Sequence, residues 1–255
     1  MSTDRDWEEW GAADPYFGVL SEDRYRRSDL TDTDRAEFFR TGEQHVDFVL
    51  ATIRRVFDSE FAPARVLDFG CGVGRLLVAF GQRGAAVTGV DVSQSMLDEA
   101  RANCAAMGVD DVTLLPSDDA LSSVTDPFEL VHSCLVLQHI PWRRGRLLIS
   151  KLLARVDTGG FAAVQFYYRC NAPRLERALV RLRYSSRAVN AVRNLLRGSP
   201  MSEPPMQLHV YDLPHILREL RRQGFTDVHQ HLDSVADGVF ESVTLFARRD
   251  RVPAP

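Results

Sequence analysis

The residues best suited to chemistry form a glycine-rich loop that follows a short apolar segment. Residues 66–75 read Val-Leu-Asp-Phe-Gly-Cys-Gly-Val-Gly-Arg, with glycines at positions 70, 72 and 74. Glycine permits tight turns and close approach of a ligand to the backbone, and the helix expected next offers free N–H groups at its first turn. The alternative is that these glycines serve only the turn. We interpret the loop as a ligand-binding site.

The spacing of this loop and its neighbouring acid indicate which ligand it binds. A dinucleotide fingerprint is G-x-G-x-x-G, whereas this loop reads G-x-G-x-G, with Asp68 two residues before Gly70. A carboxylate beside the loop repels a pyrophosphate, but it suits a cationic ligand such as a sulfonium that carries an ammonium group. The loop therefore predicts a sulfonium cofactor.

Further acidic residues follow the next two apolar segments. Asp91 lies 21 residues after Gly70, where such sheets present a carboxylate to ribose hydroxyls. It could instead cap the following helix, although Ser93 can do so itself. Asp118 and Asp119 follow the third segment and could accept a hydrogen bond from an adenine amino group, or form a solvated turn.

The elements that must position these residues alternate between short apolar strands and amphipathic helices. This alternation predicts crossover connections and a parallel sheet. The predicted strands are 65–69, 86–90, 112–115, 128–133 and 160–167, the helices between them are 75–83, 93–107 and 143–156, and a helix at 212–224 and strands at 226–232 and 239–248 close the domain.

Two regions flank or interrupt this pattern. Residues 1–34 are polar and aromatic and are predicted to form an irregular arm or lid, after which 34–57 has helical periodicity in two pieces with a bend at Thr41-Gly42. Residues 169–206 are predicted to be a helical insertion after strand 5. Its segment 169–197 holds eight arginines and one glutamate, a net charge of +7. This segment could recruit a carboxylate or phosphate, or be a solvated helix face.

Composition excludes several classes of protein. The net charge of −4 and the pI near 6.0 argue against a general nucleic-acid binder. No apolar run approaches the roughly 20 residues that span a bilayer, and the acidic N-terminus is no secretory signal. The cysteines are Cys71, Cys104, Cys134 and Cys170, whose wide spacing predicts neither disulfides nor a metal site. We therefore expect a cytoplasmic protein without nucleic-acid or membrane partners.

Several motifs together resemble the class I S-adenosylmethionine-dependent methyltransferases. They are Asp68-Phe-Gly-Cys-Gly-Val-Gly, Asp91, Ser117-Asp-Asp-Ala120, Phe128-Glu-Leu-Val131 and Leu135-Val-Leu-Gln-His-Ile-Pro141. The resemblance covers residues 45–168. It implies a Rossmann-like α/β fold with a mostly parallel seven-stranded sheet of order 3-2-1-4-5-7-6, its last strand antiparallel, and helices on both faces. Glu129 departs from the family, where aspartate is more usual.

The resemblance also implies a role for individual residues. S-adenosylmethionine would be the cofactor and S-adenosylhomocysteine its product. The methionine end would contact Asp68, Gly70, Cys71, Gly72, Gly74 and Leu135. Asp91 would hold the ribose, and the adenine would lie near Val92, Met96, Asp118, Asp119 and Ala120.

Candidates on the acceptor side are fewer. His139 is the best candidate for a general base because its ordinary pKa lies near neutral pH, although it could only brace its loop. Tyr16, with Phe17, could fold over the cofactor as a lid, and Tyr167 or Tyr168 could line the acceptor site. Arg40 could pair with the cofactor carboxylate or be solvated.

These interpretations favour a methyltransferase domain over residues 35–255 that methylates an oxygen, nitrogen or carbon nucleophile of a small molecule. A non-catalytic S-adenosylmethionine-binding protein is the first alternative, and an NAD-dependent oxidoreductase is the second. A homodimer is an ordinary expectation for such a domain.

Overall fold

The computed structural model describes residues 3–198 and 200–250, and gives only the backbone of Arg181 and Ser185. Seven strands form a single sheet of order β3-β2-β1-β4-β5-β7-β6. The strands are β1 (Arg65–Phe69), β2 (Ala86–Asp91), β3 (Val112–Pro116), β4 (Phe128–Ser133), β5 (Val156–Cys170), β6 (Phe225–Val235) and β7 (Phe240–Arg249).

Pairing within the sheet follows from the connections between its strands. The neighbouring strands from β3 across to β5 are all parallel, as helical crossovers require. The final hairpin makes β7 antiparallel to β6, and β7 also pairs antiparallel with β5. The predicted Rossmann-like sheet, including its strand order and antiparallel last strand, is confirmed.

Helices cover both faces of the sheet, and each face has its own hydrophobic cluster. Val66 of β1 packs in one cluster and Leu67 in the other, as the alternation of side chains along a strand requires. The helices are α1 (Thr3–Ala13), α2 (Pro15–Val19), α3 (Asp32–Val56), α4 (Arg75–Gly81), α5 (Gln94–Ala106), α6 (Trp142–Ala154), α7 (Arg174–Ser185), α8 (Arg187–Leu196) and α9 (Leu213–Arg222).

The bend predicted at Thr41-Gly42 is wrong, because α3 runs unbroken through both residues. The Thr41 hydroxyl donates 2.7 Å to the Phe38 carbonyl within the helix. A Cβ on Gly42 would lie 2.5 Å from the Arg75 carbonyl oxygen. Gly42 therefore allows close packing of α3 against α4 rather than a break in the helix.

The N-terminal segment is helical, and the prediction of an irregular arm is wrong. Trp10 of α1 is buried against Phe17 of α2, with the ring centroids 5.4 Å apart. Gly11 lets α1 approach α5 so closely that a Cβ there would lie 2.4 Å from the Ser93 hydroxyl oxygen. Helices this short depend on such tertiary contacts rather than on intrinsic propensity.

The region after β5 contains α7 and α8, followed by an extended segment that leads to α9. Two helices therefore occupy the predicted insertion. Among the described residues, no helix is long and apolar enough to cross a membrane.

Candidate functional site

A cavity opens at the carboxyl ends of β1, β2 and β4, beneath the N-terminal helices. The cavity and its open mouth together contain about 890 Å³ of space that no protein atom fills. In open α/β sheets this edge is where ligands bind. The predicted site residues that line it are Asp68, Gly70, Cys71, Gly72, Asp91, Val92, Met96, Leu135 and His139.

The glycine loop is held against the end of β2 in a conformation that favours glycine. The amides of Gly70 and Cys71 both donate to the Val90 carbonyl, at 2.7 and 3.1 Å. Gly70 has φ of +76°, and a Cβ there would lie 2.2 Å from a methyl group of Val136. The turn and the close approach to Val136 both require glycine at this position.

The Asp91 carboxylate closes the other side of the loop. One oxygen accepts from the Gly72 amide and the other from the Ser93 amide, both at 2.9 Å. Burial raises the pKa of Asp91 to about 6, although these backbone hydrogen bonds act in the opposite direction. Each oxygen retains further acceptor capacity, which suits ligand hydroxyl groups.

Asp68 is the first member of a buried chain of side chains that runs away from the cavity. His132 is its register partner on β4, with Nδ1 2.7 Å from the Asp68 carboxylate. The Nε2 atoms of His132 and His45 lie 3.0 Å apart. Burial, together with His132 and Arg75, lowers the pKa of His45 well below its ordinary value, so this ring is neutral. The contacts then fit donation from His45 to His132 and from His132 to Asp68.

Arg75 supplies a positive charge at the cavity wall. Its side chain is buried, and one terminal nitrogen donates 3.2 Å to the Thr41 hydroxyl, while Nε has no hydrogen-bond partner among the described residues. An anionic ligand group would satisfy such a donor. Arg40, the sequence candidate for this role, lies outside the cavity lining and pairs with Glu37 at 2.6 Å.

His139 faces the cavity from the 3-10 turn Leu137–His139. Its Nδ1 lies 2.8 Å from the Gln207 carbonyl oxygen, so Nδ1 is the protonated nitrogen and Nε2 is the acceptor, 3.5 Å from the Gln138 side-chain amide nitrogen. Burial lowers the pKa of His139 to about 4. The ring is therefore unprotonated at neutral pH, and the edge of Trp7 packs against it with centroids 4.9 Å apart.

The N-terminal helices cover the cavity through polar contacts of the first turn and the middle of α1. Arg144 of α6 donates to the Asp4 carboxylate through both terminal nitrogens, the longer contact being 2.9 Å. Glu8 accepts from the hydroxyls of Ser93 and Ser95 at 2.7 and 2.6 Å. This segment is therefore fastened to α6 and to the start of α5.

Other predicted site residues lie outside the cavity lining, and their roles stay predictions. Gly74 caps α4, Asp118 bonds to Ser122, Asp119 bonds to Arg144, and Ala120 is exposed. Tyr16 is in the core, where its hydroxyl oxygen lies 2.7 Å from Glu99 Oε1 and 3.0 Å from Asn103 Oδ1 and donates its one proton between them. Tyr167 stacks on Phe240, and Tyr168 donates to Glu241.

Among the residues that sequence reasoning missed are five with charged or aromatic side chains at or beside the site. The four that line the cavity are Asp4, Trp7, Arg75 and Arg144. The fifth is His132, which hydrogen-bonds to Asp68. Arg75 directly follows the glycine loop, so its place at the cavity wall could have been predicted from sequence. Asp4 and Trp7 gave no such signal, because only the folded chain brings α1 over the strand ends.

The chain matches known proteins over this same region. Residues 66–160 match a family model described as a methyltransferase domain. The malonyl-[acyl-carrier protein] O-methyltransferase of Salmonella typhimurium is 30% identical over 178 residues, 67% of this chain and 68% of that protein. The ubiquinone biosynthesis O-methyltransferase of Stutzerimonas stutzeri is 33% identical over 81 residues, 31% of this chain, and the match spans 35% of that protein's length.

Solved structures share the fold at low identity. The magnesium protoporphyrin IX methyltransferase from Synechocystis, with bound S-adenosylmethionine, aligns with a TM-score of 0.59 and 22% identity, over 97% of this chain and 98% of that one. The N-methyltransferase NodS from Bradyrhizobium japonicum aligns with a TM-score of 0.56 and 15% identity, over 97% and 99%. These likenesses show the fold.

Proposed function

Because the chain belongs to the class I S-adenosylmethionine-dependent methyltransferases, we propose that it transfers a methyl group from that cofactor to an oxygen, nitrogen or carbon nucleophile of a small molecule. The observation that best supports this is the pairing of a left-handed glycine loop with two carboxylates, Asp68 and Asp91, at the ends of neighbouring strands. A cationic nucleoside needs this combination of close backbone approach and negative charge.

The cavity residues fit the cofactor group by group. Asp91 accepts from the ribose hydroxyls, and Asp68 pairs with the ammonium group. Arg75, whose buried Nε lacks a partner among the described residues, pairs with the carboxylate. Val92 and Met96 would line the adenine side, and Leu135, whose backbone is left-handed with φ of +62°, would lie beside the methionine end.

The bound cofactor supplies a methyl group already activated by its sulfonium. The protein must therefore orient a nucleophile, exclude water and accept a proton where the nucleophile carries one. Trp7 and His139 narrow the cavity on the side of α1. The Nε2 of His139, 3.5 Å from the Gln138 amide nitrogen, would accept the proton of a hydroxyl or ammonium acceptor. Its low pKa keeps it unprotonated at neutral pH and also makes it a weak base.

Residues 1–34 act as a lid on a methyltransferase domain of residues 35–255, whose insertion spans about 169–206. The contacts of Asp4 and Glu8 fasten this lid when it is closed. A cytoplasmic location and a homodimer remain predictions from sequence, as do the roles of Asp118, Asp119 and Ala120.

Replacing Arg144 with glutamine should loosen the lid and speed its opening. The change removes the paired hydrogen bonds to Asp4 and the contact of Nε with Asp119, which are partly exposed and therefore contribute only about 1 kcal/mol to closure of the lid. We expect about fivefold faster dissociation of S-adenosylhomocysteine. Stopped-flow tryptophan fluorescence would measure it, because Trp7 lines the cavity. The matched control is Arg101→Gln, which breaks the exposed Arg101–Asp98 pair on α5. Equal rates in both variants would contradict the lid.

Replacing His139 with alanine should lower kcat at least about a hundredfold for an acceptor that must lose a proton. The KM for S-adenosylmethionine should change little, because His139 is assigned to the acceptor side. Because the pKa of His139 is about 4, protonation of this ring should slow the wild-type enzyme only when the pH is lowered to about 4. An unchanged kcat for a hydroxyl acceptor would limit His139 to bracing its loop.

Calorimetry with S-adenosylmethionine, S-adenosylhomocysteine and NAD tests the cofactor, and a screen with radiolabelled S-adenosylmethionine tests transfer. Relatives named as O-methyltransferases make oxygen nucleophiles the first acceptors to screen. Binding of NAD alone would favour an oxidoreductase. Tight binding of S-adenosylmethionine without transfer to any acceptor would favour a non-catalytic binding protein.

A further inference from the structure

The helices α7 and α8 direct apolar side chains to solvent. Leu175 and Leu179 of α7 are 75% and 60% exposed, and Val192, Leu195 and Leu196 of α8 are 60%, 63% and 82% exposed. We name these five residues the apolar face. Leu175 and Leu179 lie one turn apart on α7, as do Val192 and Leu196 on α8, so each helix presents a stripe rather than a scattered residue.

The orientation of α8 is fixed by polar residues on its inner side. Asn190 and Asn194 are 3% and 2% exposed. The side-chain amides of both residues donate hydrogen bonds of 2.8 Å to the Glu203 carbonyl oxygen. The Asn190 amide oxygen also accepts a hydrogen bond of 2.6 Å from Nε of Arg183. A helix in a globular protein ordinarily buries its apolar stripe and exposes its polar residues. Here the arrangement is reversed and held by hydrogen bonds, so a rotation that buried the leucines would leave the asparagines' partners unsatisfied.

The surroundings of the apolar face are strongly basic. The segment 169–197 carries eight arginines and one acidic residue, Glu176. Arg174, Arg177 and Arg197 are exposed and make no ion pair with a carboxylate in the described part of the chain. Their charge is therefore available to an anionic partner.

We propose that α7 and α8 form a docking surface for an anionic phospholipid membrane. Basic amphipathic helices lie in the plane of such a surface, with apolar side chains at the acyl boundary and guanidinium groups among the phosphates. A second copy docking through the same face would bring the two sets of arginines together, which opposes pairing. This proposal differs from the sequence expectation of no membrane partner, which no observation contradicts, and it does not depend on the proposed methyl transfer.

Sedimentation with vesicles tests the proposal on the full-length protein. Vesicles of phosphatidylglycerol and phosphatidylcholine should bind the wild type, and pure phosphatidylcholine vesicles should bind it at least about tenfold more weakly. The variant Leu175→Gln/Leu179→Gln/Leu196→Gln should bind anionic vesicles more than about tenfold more weakly. The variant Arg174→Gln/Arg177→Gln/Arg197→Gln should do the same and lose most of the salt dependence.

The control is Leu147→Gln/Leu232→Gln, which removes two exposed leucines, 54% and 58% accessible, on α6 and β6. It should bind vesicles like the wild type, and circular dichroism should show that every variant is folded. Absence of wild-type binding to anionic vesicles would overturn the proposal. So would a concentration-dependent dimer, seen by ultracentrifugation, that the Leu175/Leu179/Leu196 variant abolishes while vesicle binding is unaffected.

Discussion

Replacing Asp91 with alanine is expected to weaken binding of S-adenosylmethionine by about a hundredfold or more. The change removes the acceptor for two ribose hydroxyls, and hydrogen bonds to a charged group contribute about 1.5–3 kcal/mol each, where 1.4 kcal/mol is tenfold in affinity. It also leaves the amides of Gly72 and Ser93 without their partner. Calorimetry at pH 8 would measure the loss.

Two further variants separate this effect from general disturbance of the site. Asp91→Asn retains an acceptor oxygen and is expected to lose about tenfold, because only the charge is removed. Asp98→Ala removes an exposed carboxylate on α5 that pairs with Arg101, and is expected to bind like the wild type. Wild-type affinity in Asp91→Ala would refute the ribose assignment.

The raised pKa of Asp91 predicts a pH dependence of the same interaction. Because its folded pKa of about 6 lies above the ordinary value of 3.8, this group's contribution to folding stability is fully present below pH 3.8 and is lost as the pH rises through about 6. Cofactor binding requires the carboxylate and has the opposite sign. Affinity should therefore fall as the pH drops below 6, by about tenfold in total once the carboxylate is protonated, and Asp91→Asn should remove this dependence.

Much of this fold follows from local sequence pattern. The strands β1 and β4 have the predicted bounds, because each is a short apolar run buried on both faces and bounded by turn residues. The glycine loop and Asp91 could be placed because their positions at strand ends are fixed once the strands are known. Local pattern thus accounts for the sheet and for one wall of the cavity.

The remaining wall depends on contacts that local pattern does not encode. Trp7 and Asp4 reach the cavity only because α1 docks on α5 through Glu8, 85 residues from Ser93 in the chain. Tyr16 was expected at the ligand, yet Asn103 and Glu99 hold its hydroxyl in the core. An aromatic residue in a polar segment fits a lid or a core equally well until its partner is known.

The pairing of Asp68 with His132 is another contact that local sequence pattern does not encode, and its loss is expected to have a second large effect on cofactor binding. The two residues are 64 positions apart and meet because they are register partners on β1 and β4. We infer that His132 is a positioning residue that holds the Asp68 carboxylate toward the cofactor ammonium. His132→Phe removes the only side-chain donor to Asp68 found among the described residues, and is expected to weaken S-adenosylmethionine binding between about tenfold and a hundredfold.

A double-mutant cycle distinguishes positioning from simple loss of packing. In the Asp68→Asn background, which alone should weaken binding about a hundredfold, His132→Phe should add little, giving a coupling of at least about 1 kcal/mol. His132→Asn, whose amide can donate to Asp68 much as Nδ1 does, should restore most of the affinity. The matched control is His231→Gln, an exposed histidine on β6 that packs against Phe48. Additive losses in the cycle, or no rescue by His132→Asn, would reduce His132 to a core residue. Coupled losses with rescue by His132→Asn would show that His132 orients the Asp68 carboxylate toward the ammonium group of the cofactor.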